Sequence, residues 1–153
     1  LNLPRYPQVE IVSDLSEEAY RDLHYHGSCY VSPHRGEGWG LGAFEAATVG
    51  NHVIATNWSG VTDYLDDYPD KDYIEGSLTP VLGEGPSTPW LNGSQYVMEP
   101  NMFHLQIALD RVSKRRYRSR LATHREEWKK RFGYEAVAQE WIRVFEEVRY
   151  ART

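Results

Sequence analysis

The stretch SPHRGEGWGLGAFEAATVG, from Ser32 to Gly50, contains the pattern that decides the fold. It places Gly36, Gly38 and Gly40 within five positions, and a helix-like segment follows them. A strand that leads through a glycine-rich bend into a helix exposes backbone N–H groups at the positive end of that helix, where phosphate oxygens bind. The spacing fits neither G-x-G-x-x-G nor a P-loop, so the glycines alone leave a phosphate site and a plain tight turn both open.

Strand-like and helix-like segments alternate around this bend. The short apolar segments Gln8–Val12, Cys29–Ser32 and His52–Thr56 predict strands, because strands covered on both faces are apolar without alternation. Capping residues and terminal glycines predict helices within Ser13–Gly27 and Leu41–Gly50. This order is typical of an α/β domain with a parallel, doubly wound sheet.

The second half of the chain is less regular until it becomes helical. Ser59–Tyr68 predicts one or two helical turns, and the overlapping acidic run Asp63–Glu75 predicts a solvated loop. The Gly-, Pro- and Ser-rich residues 76–100 predict an irregular segment with one strand near Leu78–Leu82. Helices are predicted over 101–150. The length of 153 residues predicts a single domain over residues 1–153.

The net charge of -5 conceals an asymmetric distribution. Residues 1–110 carry 16 acidic and 4 basic side chains, whereas residues 111–153 carry 6 acidic and 13 basic ones. A solvated helix face explains the basic run, and attraction to anionic lipid head groups or nucleic acid is the alternative. The single cysteine, Cys29, allows no internal disulfide, which favours a reducing, cytoplasmic compartment.

Two carboxylates accompany the bend. Glu37 lies within it, and Glu45 lies about one turn into the following helix. Two carboxylates repel an anion unless each accepts hydrogen bonds from hydroxyl groups, as a glutamate near a ribose does in dinucleotide folds. A nucleotide-sugar combines a ribose diol, a diphosphate and a hydroxylated ring. We therefore predict that Glu45 binds the ribose, that the Gly38–Leu41 backbone faces the diphosphate and that Glu37 binds the sugar.

The longer stretch Ser32–Gly60 resembles the donor-binding motif of retaining glycosyltransferases of the GT-B fold, family 4 (glycosyl transferases group 1). That motif runs from a strand through E-G-aromatic-G-L to E-A, then to a glycine and a strand ending near Ala-Thr. Weaker matches extend the resemblance over about Val12–Val112. The resemblance implies a Rossmann-like three-layer α/β/α domain with a parallel sheet, the truncated C-terminal half of a GT-B fold. The first residue, Leu1, agrees with a fragment.

The resemblance also implies a role for each matching residue. Glu37 would be the catalytic residue that contacts and orients the transferred sugar, and Glu45 would bind the ribose hydroxyls. The remaining donor contacts would come from Arg35, Gly38, Trp39, Gly40 and Leu41, with His34 as a further candidate. No metal and no separate cofactor are expected, because these enzymes generally neutralise the diphosphate without a metal.

The expected reaction is retaining transfer of a hexose from a UDP- or GDP-sugar to a saccharide or lipid-linked acceptor. His34 and Arg35 resemble a subgroup that includes enzymes of bacterial capsule and surface polysaccharide synthesis. The expected partners are the missing N-terminal GT-B half and, through the basic helices, the anionic inner face of a membrane, but no nucleic acid. The strand–helix units that normally bring Arg and Lys to the diphosphate are missing. A non-catalytic nucleotide-sugar-binding or assembly module is therefore the alternative, and a nucleotide-sugar epimerase is a third reading.

The other candidate groups each have a structural and a functional interpretation. His24 and His26 form either a metal-binding pair or a polar helix end. Trp39 is either a pocket wall or a packing residue, and the acidic run Asp63–Glu75 is either a cation site or a solvated loop. The remaining groups are predicted to be structural, namely Cys29, His52, His104, His124 and the apolar stripe of the last helix.

Overall fold

The computed structural model describes residues 9–82, 92–114 and 121–150, which form a mixed α/β structure. The elements in chain order are α1 Glu17–His26, β1 Cys29–Ser32, α2 Leu41–Thr48, β2 His52–Thr56, a 3-10 turn Ser59–Val61, α3 Thr62–Leu65, β3 Lys71–Ile74, β4 Gly76–Leu82, β5 Asn92–Pro100, α4 Met102–Ser113, α5 Leu121–Phe132 and α6 Tyr134–Tyr150. Gln8, residues 83–91, the basic residues 115–120 and the side chain of His124 lie outside the described part, so predictions that fall on them stay predictions.

Strands β1, β2 and β3 form a parallel sheet in that order, compatible with the predicted Rossmann-like fold. Cys29 pairs with His52, and Val53 pairs with Lys71. Every residue of β2 is buried, which agrees with its apolar sequence and its central position. Because the strands are parallel, the loops after β1 and β2 leave the sheet at the same carboxyl edge.

Helix α2, which follows the bend, packs closely on the sheet. The buried face of α2 consists of Ala43, Ala46 and Ala47, whose small side chains allow a short distance between helix and strands. On α1, the Ser16 hydroxyl accepts a hydrogen bond of 3.2 Å from the Ala19 N–H, which caps the helix as its sequence predicted. Both helices therefore begin and end close to the predicted residues.

Strand β3 contradicts the prediction of a solvated loop over Asp63–Glu75. Its polar side chains have partners from other elements, because Asp72 forms ion pairs with buried His52 and with Arg111 of α4. The Lys71 ammonium donates to the backbone carbonyls of Asp66 and Tyr68. Strand β3 is stable beside β2 because a residue distant in the sequence, Arg111, compensates the charge of Asp72.

The prediction of a strand at Gln8–Val12 is wrong for its described part. Residues 9–12 form no strand, and the side chains of Val9, Ile11 and Val12 are exposed. Within the described part of the chain, β1 hydrogen bonds only to β2, and residues 9–12 join neither strand. An apolar pattern without a pairing strand does not produce β-structure.

The segment 76–100 is more regular than its composition indicated. Strands β4 and β5 pair in antiparallel fashion, with Gly76 opposite Pro100 and Leu82 opposite Asn92. Leu78 and Tyr96 are exposed, so backbone pairing rather than burial of apolar side chains maintains this hairpin. The predicted strand near Leu78–Leu82 is confirmed as part of β4, whereas β5 was not predicted, because its residues pair with β4 instead of burying an apolar face.

Two clusters hold helices against the sheet. Trp128 of α5 is 8% exposed and lies among aromatic rings of α2, of α3, of the segment after α3 and of its own helix, which are those of Phe44, Tyr64, Tyr68 and Phe132. Val53 and Ala55 of β2 belong to the same cluster. The intervening residue, Ile54, packs instead with Ile74 and with Leu105 and Ala108 of α4.

The last helix, α6, differs from its prediction as a packing surface. Its apolar stripe, which includes Val137, Trp141, Phe145 and Val148, is exposed in the described structure. The helix follows α5 directly and packs against it. None of the helices in the described ranges is both long and apolar enough to cross a membrane.

Candidate functional site

The bend between β1 and α2 is anchored at Gly40. This residue has a φ of +77°, and a Cβ there would lie 2.6 Å from Cγ1 of Val61. The position therefore requires glycine, both for its left-handed backbone and for space. The buried Tyr64 hydroxyl donates a hydrogen bond of 2.9 Å to the Gly40 carbonyl. No side chain caps the first turn of α2 in the described structure, so its N–H groups stay available at the bend.

The loop after β2 packs directly on the bend. A Cβ at Gly60 would lie 2.0 Å from the carbonyl oxygen of Gly38, so the two backbones approach closely. The Ser59 hydroxyl donates to the Glu37 carbonyl. By contrast, a Cβ at Gly36 or Gly38 would meet no atom within 4 Å. One side of the bend is thus fixed by the neighbouring loop, and the other borders open space.

His34 connects these two loops. Its Nδ1 lies 3.2 Å from the Ser32 carbonyl oxygen, and its Nε2 lies 3.1 Å from the Trp58 carbonyl oxygen. Carbonyl oxygens only accept hydrogen bonds. The ring can therefore donate to both carbonyls only when Nδ1 and Nε2 each carry a proton. The structure thus directs both ring nitrogens of His34 at backbone carbonyls.

Glu37 is exposed within the bend. Its Oε1 accepts a hydrogen bond of 2.9 Å from the Gly38 N–H. Its negative charge adds to the effect of burial in raising the pKa of Tyr30 and of Tyr64. The Glu37 side chain and the Tyr64 hydroxyl both pack against Gly40, so Glu37 lies at the start of α2.

Glu45 lies on α2 with 48% of its side chain exposed. Its Oε2 is 3.7 Å from Nε2 of His24 on α1. Burial raises the pKa of Tyr30, and the charges of Glu37 and Glu45 raise it further. The charges of both glutamates thus act on the Tyr30 phenol, whose hydroxyl packs against Gly42 of the helix that carries Glu45.

Arg35 lies apart from these carboxylates. Its Nη2 is 2.6 Å from Oε2 of Glu99 on the β4–β5 hairpin, and its carbonyl accepts a hydrogen bond of 2.8 Å from the Met98 N–H. The pair is largely exposed, so it contributes little to stability. In the described structure the Arg35 guanidinium pairs with Glu99 of the hairpin and not with Glu37 or Glu45.

Trp39 and Leu41 differ in their surroundings. The indole of Trp39 lies 5.0 Å from the ring of Tyr64 and 5.9 Å from those of Phe44 and Phe132. Its side chain therefore extends the aromatic cluster, in agreement with the packing interpretation. Leu41, the first residue of α2, is exposed beside the bend.

The remaining candidates have protein partners. His24 is buried and His26 is exposed, so the two rings do not converge. Asp67 pairs with Arg131, and Asp66 accepts a hydrogen bond from Tyr73. In the described ranges, no three His, Cys, Asp or Glu side chains are grouped so that they could hold a metal ion.

Tyr20 and Tyr30 were not considered as site residues in the sequence analysis, and His24 was considered only as a possible metal ligand beside His26. Tyr20 and His24 are four positions apart and therefore share one face of α1, which is a signal that the helical pattern contains. Nothing in the sequence indicated that this face is directed at α2. The contact depends on tertiary packing between helices.

Cys29 is expected to react slowly with thiol reagents. Burial, together with the nearby charge of Asp72, raises its pKa to about 11, so very little thiolate exists near neutral pH. At pH 8 we expect alkylation by iodoacetamide to be about 100-fold slower than for an unperturbed cysteine. Mass spectrometry of native and urea-unfolded protein measures both rates. Equal rates would contradict the buried, protonated thiol.

Comparisons of the chain with protein-family models, with curated proteins and with solved structures found no match.

Proposed function

We propose that this chain is the donor-binding, C-terminal domain of a retaining GT-B glycosyltransferase of family 4. Its activity would be transfer of a hexose from a UDP- or GDP-sugar to a saccharide or lipid-linked acceptor. The observation that carries the proposal is that the Glu37 side chain lies against Gly40 at the uncapped start of α2, while Glu45, on the same helix, has 48% of its side chain exposed. Carboxylates beside available N–H groups suit a ligand with hydroxyls at both ends and phosphates between them.

The fold supports this proposal. In open α/β sheets, ligands bind in the crevice beyond the carboxyl ends of parallel strands, where the loops after β1 and β2 lie. Alternate residues of β2 pack toward α2 and α5 on the one hand and toward α4 on the other. Helices on both faces of a parallel sheet would give the three-layer arrangement of a GT-B half.

The proposed donor lies across the bend. The diphosphate faces the Gly38–Leu41 backbone, where the helix dipole favours negative charge. Because the Gly38 N–H already donates to Glu37, the N–H groups that follow it are the ones proposed for the phosphates. Glu45 accepts hydrogen bonds from the ribose diol, and Glu37 accepts them from the hexose hydroxyls. Open space beside Gly36 and Gly38 leaves room for that approach. The bond that breaks joins the sugar's anomeric carbon to the diphosphate, and the helix terminus stabilises the negative charge that develops on the leaving diphosphate.

The alternative is a non-catalytic nucleotide-sugar-binding module. It is favoured because basic residues that could neutralise a diphosphate are engaged with other protein groups. Between residues 9 and 82, the basic side chains are Arg21, Arg35 and Lys71. Arg35 pairs with Glu99, and Lys71 binds backbone carbonyls. Turnover therefore requires cations from outside residues 9–82, and in the glycosyltransferases that the chain resembles they come from the first strand–helix units of the donor-binding half.

Contact with an anionic membrane gains no support from the described C-terminal helices. The exposed apolar stripe lies on α6, which carries four acidic and two basic residues. Basic residues prevail on α5 instead, whose Trp128 and Phe132 pack in the aromatic cluster. Apolar surface and positive charge are therefore not combined on one helix.

Titration calorimetry with UDP, GDP and their sugars tests the proposal. We expect one of these ligands to bind the wild-type chain, and Glu45→Ala to weaken that binding about 10- to 100-fold, because charged hydrogen bonds to the ribose are lost. Glu126→Ala, which removes an exposed carboxylate from α5, is the matched control and should bind as the wild type does. Equal affinity in Glu45→Ala and wild type would remove Glu45 from the site.

A further inference from the structure

The face of α1 that carries Tyr20 and His24 is directed at the carboxylate of Glu45. Nε2 of His24 lies 3.7 Å from Oε2 of Glu45, beyond hydrogen-bond distance but aimed at the carboxylate. Burial raises the pKa of Tyr20, as do the charge of Glu45 and, less strongly, the hydrogen bond of its hydroxyl to that carboxylate. One helix thus places two polar side chains beside one candidate ligand-binding group.

His24 is held rigidly in this position. It is 8% exposed, and its ring lies 4.8 Å from that of Tyr20 and 5.7 Å from that of Tyr30. The Asn51 side chain donates a hydrogen bond of 2.7 Å to its carbonyl. Within the described residues its Nε2 is buried without a hydrogen-bond partner, which is unusual for a polar atom in a protein interior.

Gly42 makes room for the two tyrosines. A Cβ at this position would lie 2.4 Å from the Tyr30 hydroxyl and 3.2 Å from the Tyr20 hydroxyl. Because Gly42 and Glu45 lie three positions apart on α2, they share one face of the helix. Both hydroxyls therefore approach α2 on the face that carries Glu45.

We propose that Tyr20 and His24 are positioning residues that orient the Glu45 carboxylate for the ribose diol of the donor. This inference depends on the function proposed above. A carboxylate accepts about four hydrogen bonds, so contacts with Tyr20 and His24 on one side still leave acceptor positions for the two hydroxyls of the diol. The exposed half of the Glu45 side chain is where those hydroxyls arrive. A fixed carboxylate loses less conformational freedom on binding, which increases affinity.

Calorimetry with UDP and GDP on point variants tests this role. Tyr20→Phe and His24→Leu each remove one donor, and we expect each to weaken nucleotide binding about five- to tenfold. His24→Gln keeps an N–H donor and should restore part of the affinity. His26→Leu, an exposed position on the same helix, is the matched control and should bind like the wild type.

A double-mutant cycle separates positioning from a general structural effect. In a Glu45→Ala background, Tyr20→Phe should cause no further loss, because the residue acts through the carboxylate. The same loss with and without the Glu45 carboxylate would overturn the proposal, as would wild-type affinity in both single variants. If the wild-type chain binds none of the nucleotides, the proposed function fails and the positioning role fails with it. Binding that depends on Glu45 but not on α1 removes the positioning role alone.

A measurement without nucleotide completes the test. Glu45→Gln removes the negative charge, so the pKa of Tyr20 should fall toward its ordinary value. Titration of ¹³C-labelled tyrosine by NMR, with Tyr20→Phe to assign the signal, follows that hydroxyl directly. An unchanged Tyr20 titration in Glu45→Gln would contradict the contact on which the positioning role depends.

Discussion

Trp128→Ala is expected to lower the free energy of unfolding by about 3–5 kcal/mol. The indole lies 5.0 Å from the ring of Phe44, 5.6 Å from that of Tyr64 and 5.5 Å from those of Tyr68 and Phe132. Removing it leaves a cavity among large rings of different elements that cannot all move inward. Since a domain's whole stability is about 5–15 kcal/mol, this loss is a large fraction of it.

Urea unfolding followed by circular dichroism measures this change. The matched control is Trp141→Ala, which removes the same side chain from the exposed face of α6, where 57% of the residue is accessible. For the control we expect a change within about 0.5 kcal/mol, because exposed substitutions create no cavity. Equal destabilisation by the two variants would show that the aromatic cluster does not hold α5 in place.

Gly60→Ala is expected to have the second largest effect, about 1–3 kcal/mol of stability, together with loss of nucleotide binding. A Cβ there would lie 2.0 Å from the Gly38 carbonyl oxygen and 3.2 Å from the Trp39 Cα. Both are backbone atoms, so no side-chain rotation relieves the clash. The two loops must separate, and the N–H groups of the bend move with them.

The control for Gly60→Ala lies in the same bend. A Cβ at Gly36 meets no atom within 4 Å, so Gly36→Ala should change thermal stability by well under 1 kcal/mol. Thermal unfolding gives the stability of both variants, and amide NMR spectra show whether residues 36–40 have moved. An unchanged spectrum for Gly60→Ala would contradict the close approach of the two loops.

The first part of the fold could be predicted because its signals are local. The Ser16 cap, the glycines before α2 and the apolar β2 each act within a few residues of the chain. Strand β3 could not be predicted, since the partners of Asp72 come from β2 and α4. The β4–β5 hairpin escaped prediction for a related reason, because its strands are held by pairing with each other.

The candidate site divides in the same way. The spacing of Glu37 and Glu45 indicated a shared role, and in the structure the Glu37 side chain lies against Gly40 at the start of the helix that carries Glu45. The pairing of Arg35 with Glu99 could not be read from the sequence, because 64 positions separate the two residues. Contacts of that kind depend on how the hairpin packs against the bend.

A crystal soaked with the UDP- or GDP-sugar that binds in calorimetry is the most direct test of the proposed site. We expect the ribose hydroxyls within hydrogen-bond distance of the Glu45 carboxylate, the diphosphate at the first turn of α2, and the hexose beside Glu37. Well-defined density for the donor at a place remote from both carboxylates would contradict the proposed site and the function assigned to it.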